Sequence, residues 1–217
     1  MCVGYGRMSQ SVNSTESNAA RRQLGAVVTL RAGYGFRRAI EAFPGGDVLA
    51  VQLRDVQRDK LNWSGAVRTR LDRAPGDDEW LRPGDILFSF RGTRFFAIAL
   101  AGVPARAVAS TQFMLLRVRE RDALLPEFLA WQLNQPIAQR YFELAAEGTA
   151  QRSLRRGAIE AATITVPSIE QQRSVMQLVA LVRREREAFE ELIETREQQL
   201  MQVAAWLLGT DSPWGAA

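Results

Sequence analysis

Short runs of alternating apolar and polar residues dominate positions 25–123 and predict β-strands. The clearest runs are residues 47–56, 83–92, 94–102 and 110–119. The second and third are joined by positions 91–94, a connection tight enough for an antiparallel hairpin. In the last run, Arg117 and Arg119 are expected to point outward. Strands and turns at this spacing are typical of a small β-barrel or curled sheet.

The apolar period becomes that of a helix after residue 123. Residues 124–134 and 136–148 each carry an apolar stripe at helical spacing, with Pro126 and Pro136 near the first turns. We expect both stripes to be buried; they comprise Phe128, Leu129, Trp131, Leu133, Ile137, Tyr141, Phe142 and Ala145. A polar, arginine-rich segment then leads through a short helical turn to a β-branched strand that ends at Pro167.

A long polar helix is predicted over residues 168–208. Ser168 is a favourable N-cap, and Gln171, three residues later, completes a capping box. Apolar residues then recur on two positions of a heptad repeat. One position holds Val182, Phe189 and Val203. The other, which precedes it by four residues in each heptad, holds Leu178, Leu192 and Trp206. Glu185, Arg196 and Gln199 interrupt this coiled-coil seam.

A helix of this length spans about 60 Å and cannot bury its stripe against one small domain. We therefore predict that it packs against a partner helix. The predicted dimer interface consists of Leu178, Val182, Phe189, Leu192, Ile193, Leu200, Val203, Trp206 and Leu207. The alternative is a lone solvated helix, which would leave these large apolar residues exposed.

Together these elements predict an α+β fold, in which a β-rich domain with small helices precedes one long C-terminal coiled-coil helix. The predicted boundaries are a disordered tail at 1–24, the β-rich domain at 25–167, the dimerisation or spacer helix at 168–208, and a second tail at 209–217.

The charge differs between the two predicted parts. The 28 basic residues include a single lysine, Lys60, and arginine is the better bidentate partner for phosphates and guanine edges. A GC-rich genome would produce the same arginine bias. Residues 25–167 contain 20 basic and 15 acidic residues, whereas residues 168–208 contain 5 basic and 7 acidic ones. This asymmetry favours a nucleic-acid-binding domain joined to a protein-binding arm.

The composition argues against most catalytic chemistry. The chain has no histidine and one cysteine, so Ser-His-Asp, Cys-His and HNH-type nuclease centres, His-based zinc sites and thiolate clusters are excluded. There is no P-loop, and Lys60 lacks the carboxylate two residues before it that a common nuclease pattern needs. Asp77, Asp78 and Glu79 follow Pro75-Gly76 and favour a solvated turn over a metal site. The sequence predicts a binding protein without cofactor or metal, and not an enzyme.

Two further features concern location. No apolar run approaches the length of a membrane span, and residues 1–22 lack the apolar segment of a secretory signal. Cys2 has no second cysteine with which to form an internal disulfide. We expect a cytoplasmic protein.

The arrangement resembles one half of the DNA-specificity (S) subunit of type I restriction-modification systems. The resemblance covers about residues 25–208. The match is carried by LRPGDILFSFRGT (81–93), LLPEFLAWQLNQP (124–136), GTAQRSLRRGAIEAATITVPSIEQQRSV (148–175) and the helix that follows. The most specific part is the strand that ends at Pro167 and leads to Glu170 and Gln171.

This resemblance implies that the β-rich domain is a target recognition domain for double-stranded DNA, with no activity of its own. It implies the modification methyltransferase as a partner, and a restriction/translocase subunit is a further candidate. Family members commonly carry two recognition domains and two helices, whereas this chain has one of each. It would then form a homodimer or pair with another half-subunit, through antiparallel helices, to read a bipartite site.

Within this interpretation the DNA-contacting residues are expected on loops of the β-rich domain. The candidates for base contacts are Arg91, Thr93, Arg94, Gln151, Arg152 and Ser153, with Arg68 and Arg70 as additional ones. Arg37, Arg38, Arg155 and Arg156 are expected to contact phosphates. Residues 148–156 could instead pack against the methyltransferase or the helix. The competing hypothesis for the whole chain is a coiled-coil adaptor or scaffold that does not bind DNA.

Overall fold

The computed structural model describes residues 19–57, 60–149 and 151–209, and the chain divides into two units. The first ends at Gln172 and the second begins at Arg173. The strands of the first unit are β1 (Ala20–Gln23), β2 (Val28–Ala32), β3 (Val48–Val51), β4 (Val56–Gln57), β5 (Lys60–Leu61), β6 (Val67–Thr69), β7 (Asp85–Ser89), β8 (Phe96–Ala99), β9 (Ala107–Ala109), β10 (Phe113–Val118) and β11 (Thr163–Val166). The helices are α1 (Leu24–Val27), α2 (Pro126–Leu133), α3 (Pro136–Ala145), α4 (Arg156–Ala161) and α5 (Ile169–Leu208).

Two larger sheets organise the first unit. One is antiparallel with the strand order β2-β10-β7-β8. The other has the order β6-β3-β9, with β3 antiparallel to β6 and parallel to β9. Side chains of both sheets share one buried cluster, which consists of Leu49, Val51, Leu81, Leu87, Leu100, Ala107, Ala109, Phe113 and Leu115. The predicted β-rich domain is confirmed, and its core is shared by two sheets rather than enclosed by one barrel or curled sheet.

The GDIL sequence at 84–87 has a structural role at the start of β7. Gly84 has φ +82°, a conformation that side-chain-bearing residues rarely adopt. Asp85 is fully buried and accepts the Arg82 N–H at 2.8 Å. It also binds the Arg117 guanidinium through both oxygens, with Nε to Oδ1 at 2.7 Å and Nη2 to Oδ2 at 2.8 Å. The prediction that Arg117 points outward is therefore wrong, because the buried carboxylate holds it against the domain.

Amide side chains of the α2 region bind the backbone at two strands. Asn134 accepts the Ala97 N–H and donates to the Ala97 carbonyl, both at 2.8 Å, at the outer strand β8. Gln132 makes the same pair of bonds to Thr165 of β11, at 2.9 and 3.1 Å. These bonds satisfy backbone groups that would otherwise lack partners at a sheet edge.

The apolar stripe of α3 is less buried than predicted. Phe142 is fully buried and packs against Phe88 with ring centroids 5.0 Å apart, whereas Ile137 is 89% exposed. The Tyr141 hydroxyl donates to the Ala158 carbonyl at 2.8 Å and so faces α4. The prediction for Ile137 is wrong because this short helix packs along a narrower face than its periodicity suggests.

The predicted disordered tail at 1–24 is wrong at its last residues. Ala20–Gln23 form β1, which pairs antiparallel with β11, and Leu24 is fully buried. Residues 1–18, and residues 210–217 of the second predicted tail, lie outside the described residues.

The long C-terminal helix is confirmed as α5, 40 residues in length. Its predicted capping box is present: the Ser168 N–H donates to Gln171 Oε1 at 3.1 Å, and the Gln171 N–H donates to Ser168 Oγ at 3.3 Å. The predicted seam residues of α5 are all exposed, from 49% for Val182 to 81% for Trp206. Among the described helices, none combines the length and apolar character needed to cross a membrane.

Candidate nucleic-acid interface

Two segments that lie about sixty residues apart in sequence meet in the structure. The Gly92 N–H donates to the Arg152 carbonyl at 2.9 Å, and the Leu154 N–H donates to the Phe90 carbonyl at 2.9 Å. Arg91 and Ser153 thus form an antiparallel bridge. We call residues 90–95 and 151–156 the paired loops. They bring together eight of the predicted DNA-contacting residues: Arg91, Thr93, Arg94, Gln151, Arg152, Ser153, Arg155 and Arg156.

The second of the paired loops is also held on its other side. Ser153 exchanges both backbone hydrogen bonds with Glu147, at 2.9 and 3.0 Å. The Arg152 guanidinium donates to the Glu143 carbonyl near the end of α3. Arg152 and Ser153 are accordingly half-buried. Ser153 forms one antiparallel β-bridge with Arg91 and another with Glu147, so its backbone lies between these two residues.

The other arginine side chains of the paired loops differ in the contacts that they make within the protein. Arg91, Thr93, Arg94 and Gln151 are exposed. The Arg91 guanidinium stacks over the Phe90 ring at 4.9 Å from its centroid, whereas no hydrogen bond or ion pair holds the Arg94 guanidinium among the described residues. Arg94 is therefore the arginine of the paired loops most available to a base edge.

Arg155 and Arg156 bind carboxylates on the surface. Arg155 pairs with Glu147 and Arg156 with Glu160, each at 2.7 Å, and all four side chains are at least one-third exposed. Exposed ion pairs of this kind contribute at most about 1 kcal/mol. A phosphate could therefore replace either carboxylate at small cost, which agrees with the phosphate-contacting role predicted for these two arginines.

The other predicted residues form a second arginine group, Arg37, Arg38, Arg68 and Arg70, on and beside β6. The Arg37 N–H donates to Asp72 Oδ2 at 3.1 Å, and the Phe43 N–H donates to the Arg68 carbonyl at 2.9 Å. The Arg70 guanidinium stacks on the exposed Phe43 ring at 4.6 Å. All four arginines are exposed, two on the segment after β2 and two on or beside β6.

The sequence did not single out two arginines that lie near this second group. Arg106 stacks over Trp80 at 4.3 Å and is exposed. Arg73 stacks over the buried Tyr34 ring at 4.5 Å, and its backbone N–H donates to the Tyr34 hydroxyl at 2.9 Å. Their aromatic partners are 26 and 39 residues away in sequence, so no local pattern could have revealed these contacts.

The Arg73 guanidinium is held by an ion pair with Glu79, which gives this arginine a structural role. Both of its terminal nitrogens donate to the Glu79 carboxylate, Nη1 at 2.6 Å. This hydrogen bonding lowers the pKa of Glu79 and raises the pKa of Arg73. Hydrogen bonding to Asp85 likewise raises the pKa of Arg117. Arg73 and Arg117 are thus held by carboxylates within the domain, which makes them weaker candidates for DNA contacts than the unengaged Arg94.

The acidic residues 77–79 form a short 3-10 turn after Gly76. Asp78 pairs with Arg31 at 3.1 Å, and Glu79 with Arg73. Among the described residues, no group of three or more His, Cys, Asp or Glu side chains is arranged to hold a metal ion.

Comparison with known proteins identifies solved structures of similar fold. The chain matches the type I restriction-modification S subunit from M. genitalium at 14% identity and a TM-score of 0.58, over 91% of this chain and 47% of that one. It matches the HsdS subunit from Thermoanaerobacter tengcongensis at 20% identity and a TM-score of 0.55, over 90% of this chain and 51% of that one.

A third match is a chain from a structural study of complex assembly and conformational transition of the type I R-M system. The identity is 20% and the TM-score 0.64, over 92% of this chain and 51% of that one. The chain therefore spans about half the length of the solved structures it matches, and it has the fold of half an S subunit. No protein-family model and no curated protein matches it.

Proposed function

We propose that this chain is the DNA-recognition subunit of a type I restriction-modification methyltransferase complex and is itself not catalytic. The observation that carries the proposal is the meeting of the paired loops. Residues predicted from the sequence as base and phosphate contacts, about sixty positions apart, meet there, and six of the eight are exposed. The paired loops lie on a fold shared with S subunits.

The chemistry of the paired loops suits the major groove of DNA. Exposed arginines can bind guanine O6 and N7 through two parallel bonds, and Gln151 can do the same with the N6 and N7 of adenine. Arg155 and Arg156 would hold the loops on the phosphate backbone, which positions the protein without specifying sequence. The second arginine group would add further contacts to the same duplex.

The exposed stripe of α5 supports a two-headed assembly. Nine large apolar side chains, each about half or more exposed, are costly to leave in water and mark a protein-binding face. We infer that α5 pairs with α5 of a second copy, or with the helix of another half-subunit, and that each head then reads half of a bipartite site. The methyltransferase would bind this dimer, a restriction/translocase subunit is a further candidate, and the complex would work in the cytoplasm.

Methylome sequencing tests the proposal directly. The gene is expressed with and without the methyltransferase that it accompanies, in a host that lacks other methylation. We expect a split motif to be modified only when both are present, palindromic for a homodimer and asymmetric for a mixed pair. If no motif depends on the gene, the proposal is wrong.

A binding assay separates DNA recognition from an adaptor role. The complex with the methyltransferase is titrated onto a duplex that contains the motif, at increasing salt. A DNA reader loses affinity steeply as salt rises, because bound arginines release counterions from the phosphates. An adaptor would show no duplex binding by this chain at any salt concentration.

A further inference from the structure

The polar residues that interrupt the α5 seam include one acidic and one basic side chain. The two heptad positions of the seam hold apolar side chains except at Glu185, Arg196 and Gln199. Glu185 and Arg196 are exposed and opposite in sign. Arg196 donates one hydrogen bond to Gln199 Oε1 at 3.0 Å, which leaves other guanidinium donors available. No interaction engages the Glu185 carboxylate among the described residues.

One antiparallel alignment of two α5 helices pairs the two charged positions of the seam with each other. When Phe189 of one copy faces Leu192 of the other, the seam is symmetric about the point between Glu190 and Glu191. Leu178 then faces Val203, and Val182 faces Gln199. Glu185 faces Arg196 of the second copy, once on each side of the twofold axis. Both charged interruptions are thereby paired with each other.

Other alignments place charges badly. In a parallel, in-register pair, Glu185 faces Glu185 and Arg196 faces Arg196, and like charges at facing positions destabilise a coiled coil. A shift of the antiparallel pair by one heptad places Arg196 opposite Leu192 in one direction and opposite Leu178 in the other. Each shift buries a charge against an apolar side chain without a partner, which is costly.

The overall charge of α5 favours the same orientation. Residues 169–188 contain four basic and three acidic residues, whereas residues 189–208 contain one basic and four acidic. An antiparallel pair places the basic half of each helix along the acidic half of the other. A parallel pair would align the two acidic halves.

We infer that the occupant of the α5 seam is a second copy of this chain, antiparallel and centred between Glu190 and Glu191, and that the Glu185–Arg196 pairs select this register. The inference rests on the dimer in the proposed function, whose antiparallel orientation the resemblance already implies, and adds to it a defined partner and a register selected by named residues. The pairs act mainly by penalising the wrong arrangements, as polar residues at seam positions of coiled coils do.

Charge reversal provides the test, with dimerisation of the full chain measured by analytical ultracentrifugation. Glu185→Arg or Arg196→Glu alone creates two like-charge contacts per homodimer, and we expect each to weaken the dimer at least tenfold. The double variant restores both pairs with inverted signs and should return to within about threefold of the original. An equimolar mixture of the two single variants should form heterodimers in preference to either homodimer.

The possible failures are distinguishable. If the unaltered chain stays monomeric at every concentration, also with the methyltransferase, the dimer of the proposed function is wrong. If it dimerises but both single variants dimerise as well as the original chain, the dimer stands and the register inference is overturned. A parallel pair gives that second result, because each reversal only exchanges one like-charge contact for another.

Disulfide trapping reads the register independently of charge. In a Cys2→Ser background, a Leu178→Cys chain mixed with a Val203→Cys chain should cross-link under oxidation, because facing seam positions lie within disulfide reach. The matched control mixes Leu178→Cys with Leu192→Cys. Positions 192 and 203 are separated by about 16 Å along the helix, so this pair should not cross-link. Efficient homodimers of the Leu178→Cys chain alone would show a parallel pair and overturn the inference.

Discussion

At the scale of single residues, the arginines of this chain differ in burial: some bind carboxylates within the domain, and others are exposed and available to a ligand. The Arg117 side chain is 21% exposed and binds the fully buried Asp85 carboxylate. Arg94 is exposed, and no ion pair or hydrogen bond among the described residues holds its guanidinium. Arg117 lies in a predicted strand and Arg94 in a predicted connection, and only the structure shows that a buried carboxylate binds the first.

Replacing Arg117 tests its structural role. Arg117→Ala leaves the buried Asp85 carboxylate without its partner, and we expect a loss of about 3 kcal/mol in the free energy of unfolding. Urea denaturation measures this loss. The matched control is Arg119→Ala, an exposed arginine two residues further along the chain, which should stay within about 0.5 kcal/mol of the original chain. Equal stability of the two variants would contradict the assigned role.

Replacing Arg94 tests base recognition. If Arg94 binds a guanine, Arg94→Ala should weaken binding of the complex by about 1–3 kcal/mol and relax one position of the motif. Competition binding to a panel of single-base variants measures both effects, with Arg140→Ala, an exposed arginine on α3, as the control. A uniform loss over all sequences would indicate a phosphate contact, and no change would remove Arg94 from the interface.

At the scale of elements, the start of α5 is anchored by one buried amide. Gln172 is fully buried; its Oε1 accepts the Leu125 N–H at 2.9 Å, and its Nε2 donates to the carbonyls of Ala123 and Pro167 at 2.8 and 2.9 Å. The amide thus joins the first turn of the helix to the segment before α2 and to the end of the last strand. A capping box alone, on the exposed side, would not provide this attachment.

Removal of that amide should destabilise the compact unit. Gln172→Ala removes three hydrogen bonds that the buried amide makes to the backbone, and we expect a loss of about 2–3 kcal/mol in the free energy of unfolding, measured by chemical denaturation. Gln177→Ala, an exposed glutamine on the same helix, is the control and should change stability by less than about 0.5 kcal/mol. If both variants were equally stable, water would have to replace the lost bonds and the anchoring role would be wrong.

At the scale of the whole molecule, the proposed function makes α5 the element that sets the distance between two DNA-reading heads. Each residue added to an α-helix lengthens it by about 1.5 Å. An insertion that preserves the heptad pattern should therefore change the separation between the heads without altering what each head reads.

A heptad insertion tests this role. A second copy of residues 189–195 inserted after Thr195 keeps Glu185 opposite Arg196 and separates the two helix starts by about 10 Å more. We expect the spacer of the modified motif to lengthen by about three base pairs, at about 3.4 Å each, with both half-sites unchanged. Methylome sequencing reads the result. An insertion of four alanines at the same place shifts the heptad phase and should abolish the dimer; an unchanged spacer in the heptad variant would contradict the role of α5.

The sequence alone determined the features that depend on local pattern. The β-rich domain, the order of small helices, the long helix and its capping box all follow from periodicity and from residues within a few positions of one another. The candidate contact residues could also be chosen, because arginines on turn-rich segments are recognisable without a fold. Periodicity was misleading for Ile137, since a short helix can turn a narrower face to the core than its apolar stripe.

Only the tertiary structure decided which distant residues meet. It paired residues 90–95 with 151–156 and bound the Arg117 guanidinium to Asp85. It also bonded the Gln172 amide to the segment before α2 and paired Ala20–Gln23 with β11. Each of these contacts links residues more than 30 positions apart and depends on how sheets and helices pack as a whole. No local pattern encodes such packing, because the free energy that selects it arises from burial and hydrogen bonding summed over the entire unit.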